Sequence, residues 1–305
     1  GSGVAGGGKG GGGGGGELAA AAALPSPPPS APPPDQSLFL HNRRPCHVVY
    51  TEYRPTPLQM YVFPAGGDGL FLAVDEKGTF KEAAFAKAVA CLEDSTAAEA
   101  LAAAGGGKNK KGSSSSSASS SAPSNGLVSP PSGEKSDIFR VVKMVVDRRY
   151  DPLIVFSFSR RDCEAHAAAL AALDLNSKAE AESVDAIFRA ALDCLTEEDR
   201  KSLPQASSLL PALRRGVGVH HSGLLPILKE AVELLFQEGL VKVLFATETF
   251  STGLNMPAKT VVFTGARKFD GGAFRWLTGG EFTQMAGRAG RRGLDDKGVV
   301  VLMMD

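Results

Sequence analysis

Four short segments of this chain gather the side chains that could do chemistry. In Gln284-Met-Ala-Gly-Arg288-Ala-Gly-Arg291-Arg-Gly293, a glutamine and two arginines stand at i, i+4 and i+7. On a helical turn this spacing projects all three from one face, and Gly287 and Gly290 keep the other side low enough for close backbone approach. Two guanidinium forks side by side suit a polyphosphate whose transferred group gains charge in the transition state. The same pattern also fits a solvated basic helix end. In Phe245-Ala-Thr247-Glu-Thr-Phe-Ser-Thr-Gly253-Leu-Asn255-Met-Pro257, an apolar strand runs into hydroxyl and amide groups. These could bind phosphates or sugars at a strand's carboxyl end, or form an ordinary polar loop. In Gly216-Val-Gly-Val-His220-His221-Ser-Gly223, adjacent histidines on a strand point to opposite faces and cannot easily share one metal, so no metal site is expected. That loop could instead present donors to a phosphate backbone. Phe156-Ser157-Phe-Ser-Arg160 adds a hydroxyl and a third arginine after another apolar strand.

The elements that must position these groups follow from hydrophobic pattern. From Pro152 onward, strand and helix alternate. Leu153–Phe158 is a continuous apolar strand, and Ser159 can cap a helix over Arg160–Leu173. A helix over Ala181–Cys194, a helix start at Thr196–Pro204 and a short strand at Val217–Val219 come next. Helix Leu225–Gln237, strands Val241–Ala246 and Thr260–Thr264, helix Phe282–Ala289 and strand Gly298–Met303 complete the series. The expected fold class is α/β, a mainly parallel sheet with helices on both faces and ligands at the carboxyl ends of its strands. Upstream, strands are expected at His47–Thr51, Gln59–Phe63 and Leu70–Val74, with helices over Phe80–Leu92 and Ile138–Arg149.

Composition divides the chain further. Residues 1–36 are Gly, Ala and Pro, and residues 105–136 are a Gly/Lys/Ser/Pro tract; neither buries enough apolar surface to offset chain ordering, so both are expected to be disordered. This leaves 37–104, a short β-rich and helical segment, and 137–305, long enough for one α/β domain. The 33 basic and 33 acidic residues cancel, which argues against a protein that coats nucleic acid through bulk charge, although Arg288, Arg291 and Arg292 cluster. Cys46, Cys91, Cys163 and Cys194 form no C-x-x-C pair, which makes a zinc site or disulfide framework unexpected. No apolar run approaches the roughly 18 residues of a membrane span, so no membrane partner is expected.

The four segments, in this order and spacing, resemble motifs IV, V and VI of superfamily 2 helicases. The chain is similar to the second RecA-like domain of DExH-box RNA helicases of the superkiller and exosome-cofactor group. Pro45–Gln59, Val74–Gly78, Ile154–Glu164, Val219–Pro226, Ala246–Phe250 and Ala266–Gly271 carry that likeness, most closely to the group's nuclear branch. The resemblance implies that Arg288 and Arg291, headed by Gln284, contact the γ-phosphate of ATP bound by a partner RecA-like domain, which also holds most of the contacts to Mg²⁺. It implies Gly253 and Asn255 near the nucleotide ribose, and Thr247, Ser157, Arg160, His220 and His221 along an RNA backbone. The partners implied are RNA, the RNA exosome and a TRAMP-type polyadenylation complex, in the nucleus, with the cytoplasm as alternative.

Two decoys complicate the picture. Gly3–Gly10 imitates a Walker A loop, but Gly10 replaces the required Ser or Thr. Asp75-Glu76 imitates a Walker B end without the downstream His, and a structural turn is the expectation there. The chain opens on Gly-Ser-Gly rather than Met, and the expectation is the C-terminal half of a larger enzyme, inactive alone. The alternative is a catalytically incomplete module that binds RNA or protein without turnover. A dinucleotide-binding enzyme is excluded because Gly216-Val-Gly-Val-His-His lacks the third glycine.

Overall fold

A computed structural model describes residues 54–105, 136–196, 203–253 and 256–304. In chain order these form β1 (Leu58–Pro64), β2 (Phe71–Val74), α1 (Glu82–Gly105), α2 (Asp137–Asp147), β3 (Leu153–Phe156), α3 (Arg160–Ala169), α4 (Lys178–Leu192) and α5 (Pro204–Arg214). There follow β4 (Val217–His220), α6 (Pro226–Gln237), β5 (Val243–Ala246), α7 (Phe250–Gly253), β6 (Thr260–Phe263), β7 (Arg267–Phe269), β8 (Phe274–Trp276), α8 (Gly279–Ala286) and β9 (Gly298–Met304).

Seven strands make one sheet in the order β2-β1-β9-β6-β3-β5-β4, parallel throughout except for the antiparallel edge pair β1–β2. Every residue of β3, β4, β5 and β6 is buried. Runs of Leu, Ile, Val and Phe without polar alternation form strands only where both faces are covered. Thr260 is the exception in type, and its hydroxyl donates to the Tyr150 carbonyl at 2.7 Å. The expected α/β class holds, and β1 and β2 are strands of the same sheet as β3–β6, with Leu58–Pro64 in parallel register along Gly298–Met304.

Helix starts follow the local chemistry. Ser136, Ser159 and Ser177 each accept a backbone N–H at the first turn of α2, α3 and α4. Ser177 with Glu180 and Thr278 with Glu281 close capping boxes on α4 and α8. The hairpin β7–β8 was not anticipated, nor was α5; the helix start expected from Thr196 has most of its length outside the described residues. The strand expected over His47–Thr51, the Gly3–Gly10 decoy and the segments 1–36 and 105–136, apart from Gly105 and Ser136, also lie outside them. Asp75 does serve a turn: its carboxylate accepts the N–H groups of Lys77 and Thr79 and pairs with Lys81 at 2.7 Å.

Candidate functional site

The glutamine–arginine segment is not one helical face. Helix α8 stops at Ala286, because the next three carbonyls are committed elsewhere. Arg54, just ahead of β1, donates to the carbonyls of Gly287 (3.2 Å) and Ala289 (2.8 Å), and the N–H of Ala258 donates to that of Arg288 (2.9 Å). No i to i+4 ladder can continue through carbonyls already taken. Ala289 instead bridges Ala258, and Gly290 turns the chain at φ +86°. A Cβ on Gly290 would stand 2.5 Å from Thr56 Cγ2 and 3.1 Å from the Gly298 backbone. The glycines of this segment thus seat a loop against the chain leading into β1 and β9.

That loop lies at the amino-terminal edge of the sheet, beside the residues that precede β1, β6 and β9. This corrects the expectation that the ligand groups gather at the carboxyl ends. Arg288 is half-buried and donates to the Ser251 carbonyl in α7; burial holds its pKa below the usual arginine value. Arg291 pairs with Asp295, whose carboxylate accepts Nε and Nη2 at 2.8 Å each and the Arg291 backbone N–H at 2.9 Å. These bonds raise the Arg291 pKa and lower that of Asp295.

Other predicted groups lie at the carboxyl edge. Thr247 ends β5, its N–H donating to the His220 carbonyl and its hydroxyl 3.0 Å from that of Thr249. Gly253 closes α7, and Asn255 is outside the described residues. Gln284 is exposed and lines a cleft of about 260 Å³ with Glu248, Thr249, Ser251, Lys268 and Glu281. Arg160 is exposed as the first residue of α3.

Three expected RNA contacts are corrected by burial. Ser157 is fully buried, with its N–H on the Ala246 carbonyl. His220 faces inward, with Nε2 2.6 Å from Glu233 and its ring edge-on to Phe250; desolvation lowers its pKa against the pull of that carboxylate. His221 is buried too, accepting the Gly223 N–H at Nδ1 (3.1 Å) with Nε2 3.2 Å from Glu164. These side chains position the loops after β3 and β4 and present no donor to solvent.

The hairpin β7–β8 is the functional feature that pattern reasoning missed. Its pairs are Arg267 with Trp276, Lys268 with Arg275, and Phe269 with Phe274. Alternation puts Phe269, Phe274 and Trp276 in solvent at 55%, 68% and 67% exposure, with the Arg267 guanidinium 5.3 Å from the Trp276 ring centre. Large exposed aromatics beside a cation suit the stacking of unpaired bases. The opposite face rivets the hairpin down. Lys268 bonds Glu248 and Glu281, and Arg275 grips Glu281 with two bonds of 2.9 Å. Burial alone would lower the Lys268 pKa, but the two carboxylates carry it above the usual value, while Arg275, Lys268 and the Thr278 N–H depress that of Glu281. The signal was present in Phe269-Asp-Gly-Gly-Ala-Phe274, a glycine pair between aromatic residues.

A helicase conserved C-terminal domain is matched over residues 193–293. The chain is 56% identical over 264 residues to the DExH-box ATP-dependent RNA helicase DExH9 of Arabidopsis thaliana, covering 87% of this chain and 25% of that protein. It is 56% identical to the ATP-dependent RNA helicase mtr4 of Schizosaccharomyces pombe, covering 87% of this chain and 22% of the relative. It is 53% identical to the human exosome RNA helicase MTR4, with 87% and 23% covered. The chain therefore spans about a quarter of the length of the curated relatives it matches. With these matches, the chain belongs to the superfamily 2 DExH-box RNA helicases, and the part of such an enzyme it contains is the C-terminal, RecA-like helicase domain.

Proposed function

We propose that residues 54–304 act as the C-terminal half of an ATP-dependent RNA helicase, supplying arginine fingers to ATP and a path for single-stranded RNA. The observation that carries this reading is the loop Gly287–Arg291. Its backbone is fixed by Arg54, Ala258 and the Gly290–Gly298 approach, while its two guanidinium groups stay partly accessible. A rigid cationic loop is what stabilises charge developing on a transferred phosphoryl group, where such a finger contributes about 10³–10⁵ in rate.

In this reading Arg288 and Arg291 meet the γ-phosphate of ATP held by a Walker-bearing domain, with Gln284 at the head of the segment and Gly253 and Asn255 toward the ribose. Among the described residues no group of three His, Cys, Asp or Glu side chains could hold a metal ion, so Mg²⁺ is assigned to the Walker-bearing side. Thr247, Arg160 and the aromatics Phe269, Phe274 and Trp276 take the RNA. Contacts to backbone and base faces carry no sequence code, which suits movement along RNA of any sequence. The names of the MTR4 relatives support an exosome-linked role in nuclear RNA processing. A TRAMP-type polyadenylation complex is the further partner proposed from the likeness to the nuclear branch.

The test is RNA-stimulated ATP hydrolysis by the intact protein together with its affinity for single-stranded RNA. Arg291→Ala should lower turnover by about 10³ or more, with RNA affinity within about twofold of the parent. Thr247→Val should weaken RNA by several-fold, the loss of about one hydrogen bond, and leave turnover at saturating RNA nearly unchanged. Equal losses of RNA affinity in both variants would overturn the division. RNA binding with no RNA-stimulated turnover in the parent protein would favour a binding module instead.

A further inference from the structure

We infer that Asp295 is a positioning residue for the Arg291 finger, holding the guanidinium by its Nε–Nη2 edge so that only the Nη1 side is offered to a phosphate. The inference rests on the proposed role of Arg291 in ATP hydrolysis. Its ground is the way one carboxylate fixes both the backbone and the side chain of the same arginine. Oδ2 accepts from the Arg291 backbone N–H and from Nε, and Oδ1 accepts from Nη2. In return the Asp295 N–H donates to the Arg291 carbonyl at 3.0 Å, which closes a single turn around Gly293 at φ +78°. The Asp295 side chain is only 3% exposed, against 30% for Arg291, so the acid lies inside and the arginine looks outward. Arg292, the next residue, is exposed and has no printed partner among the described residues.

This geometry does more than neutralise a charge. A long arginine side chain loses rotamer freedom when it meets a ligand, and a finger already held in one rotamer has less to lose. The cost is that the carboxylate offsets part of the field the finger projects. Asp295 therefore trades charge for orientation, whereas Arg288, which rests on the Ser251 carbonyl, keeps its full charge. The two fingers are then unequal, one supplying field and the other direction. A bidentate grip on the phosphate by Arg291 is not available while Asp295 holds it.

The test is a double-mutant cycle on the intact protein, reading kcat and KM for ATP in RNA-stimulated hydrolysis. Asp295→Asn should lower kcat by about tenfold or more while KM and RNA affinity stay within about twofold. In an Arg291→Ala background the same change should have no further effect, because the two residues act as a unit. Full activity of Asp295→Asn, a rise in its basal turnover, or an additive loss in the double variant would overturn the inference. Failure of Arg291→Ala itself to slow hydrolysis would overturn the underlying reading instead. Should Asp295→Asn fail to fold, nitrogen-15 NMR of the parent chain decides. Arg291 Nε–H should exchange with solvent more slowly than that of Arg292, and equal exchange would sink the proposal.

Discussion

The two edges of the sheet solve the problem of holding a functional group in different ways. At the amino-terminal edge, the loop Gly287–Arg291 is fixed through its backbone, with carbonyls given to Arg54 and Ala258 and a glycine seated against Thr56 and Gly298. At the carboxyl-terminal edge, the hairpin β7–β8 is fixed through side chains, with Lys268 and Arg275 gripping Glu248 and Glu281. Backbone anchoring leaves little room to adjust and suits a group that must meet a developing charge at one place. Side-chain anchoring leaves a surface that can tilt without breaking the sheet and suits a strand of varying sequence. Ion pairs between exposed groups contribute little to stability, about 0–1 kcal/mol each, so the rivets under the hairpin set its direction more than they stabilise the fold.

This contrast can be broken from either side. The largest effect is expected from Gly290→Ala, since the new methyl would meet Thr56 and the Gly298 backbone at a positive φ. Such strain costs about 1–3 kcal/mol, read in chemical denaturation, and displacing the finger should remove most hydrolysis while sparing RNA affinity. A parallel fall in RNA affinity without loss of folded protein would show that the edges are not independent. Next comes Trp276→Ala, which should weaken single-stranded RNA by about tenfold, within the range for one base stack. Its KM for ATP should not move, and a change there would tie the hairpin to the nucleotide edge. The smallest effect is expected from pH. The Glu281 and Asp295 carboxylates both sit below their ordinary values, through Arg275 and Arg291 respectively. Their contributions are present above the ordinary carboxylate range and are lost only as pH falls through the lowered values. Thermal stability should therefore be nearly flat from about pH 5 to 8 and fall below about pH 4; a drop between pH 5 and 8 would mean these pairs are not formed.

Much of this was legible before the structure. The apolar runs Leu153–Phe156, Val243–Ala246 and Thr260–Phe263 name central strands almost to the residue, because a strand buried on both faces has no polar positions to blur its ends. Helix α6 is as clear, between Pro226 and Gly239. The glutamine–arginine segment was found by residue type and misread in shape. Its i, i+4, i+7 spacing is helical, but what ends the helix is Arg54, a residue 233 positions upstream of Gly287, and no local pattern reports a tertiary hydrogen bond. Ser157, His220 and His221 failed for a related reason. A hydroxyl or imidazole in a phosphate-binding type of loop looks alike from the sequence whether it faces solvent or turns inward to Glu233 and Glu164. The hairpin was lost because three-residue strands carry too little alternation to stand out.

The pairing of β1 with β9 joins the first described strand to the last, and it has a consequence for how the chain is made. Residues 54–105 have few apolar contacts of their own: Val62, Ala73 and Ala88 are buried together, and Leu302 and Met304 of β9 complete their cluster. A nascent chain at about 5–20 residues per second would hold β1 without its partner for roughly 12–50 s. During that interval the inner strands β3–β6 can assemble, and β1 remains exposed to chaperones and to wrong pairings. The arginine loop, set between Arg54 and Gly298, would be the last part of the domain to take shape on the ribosome.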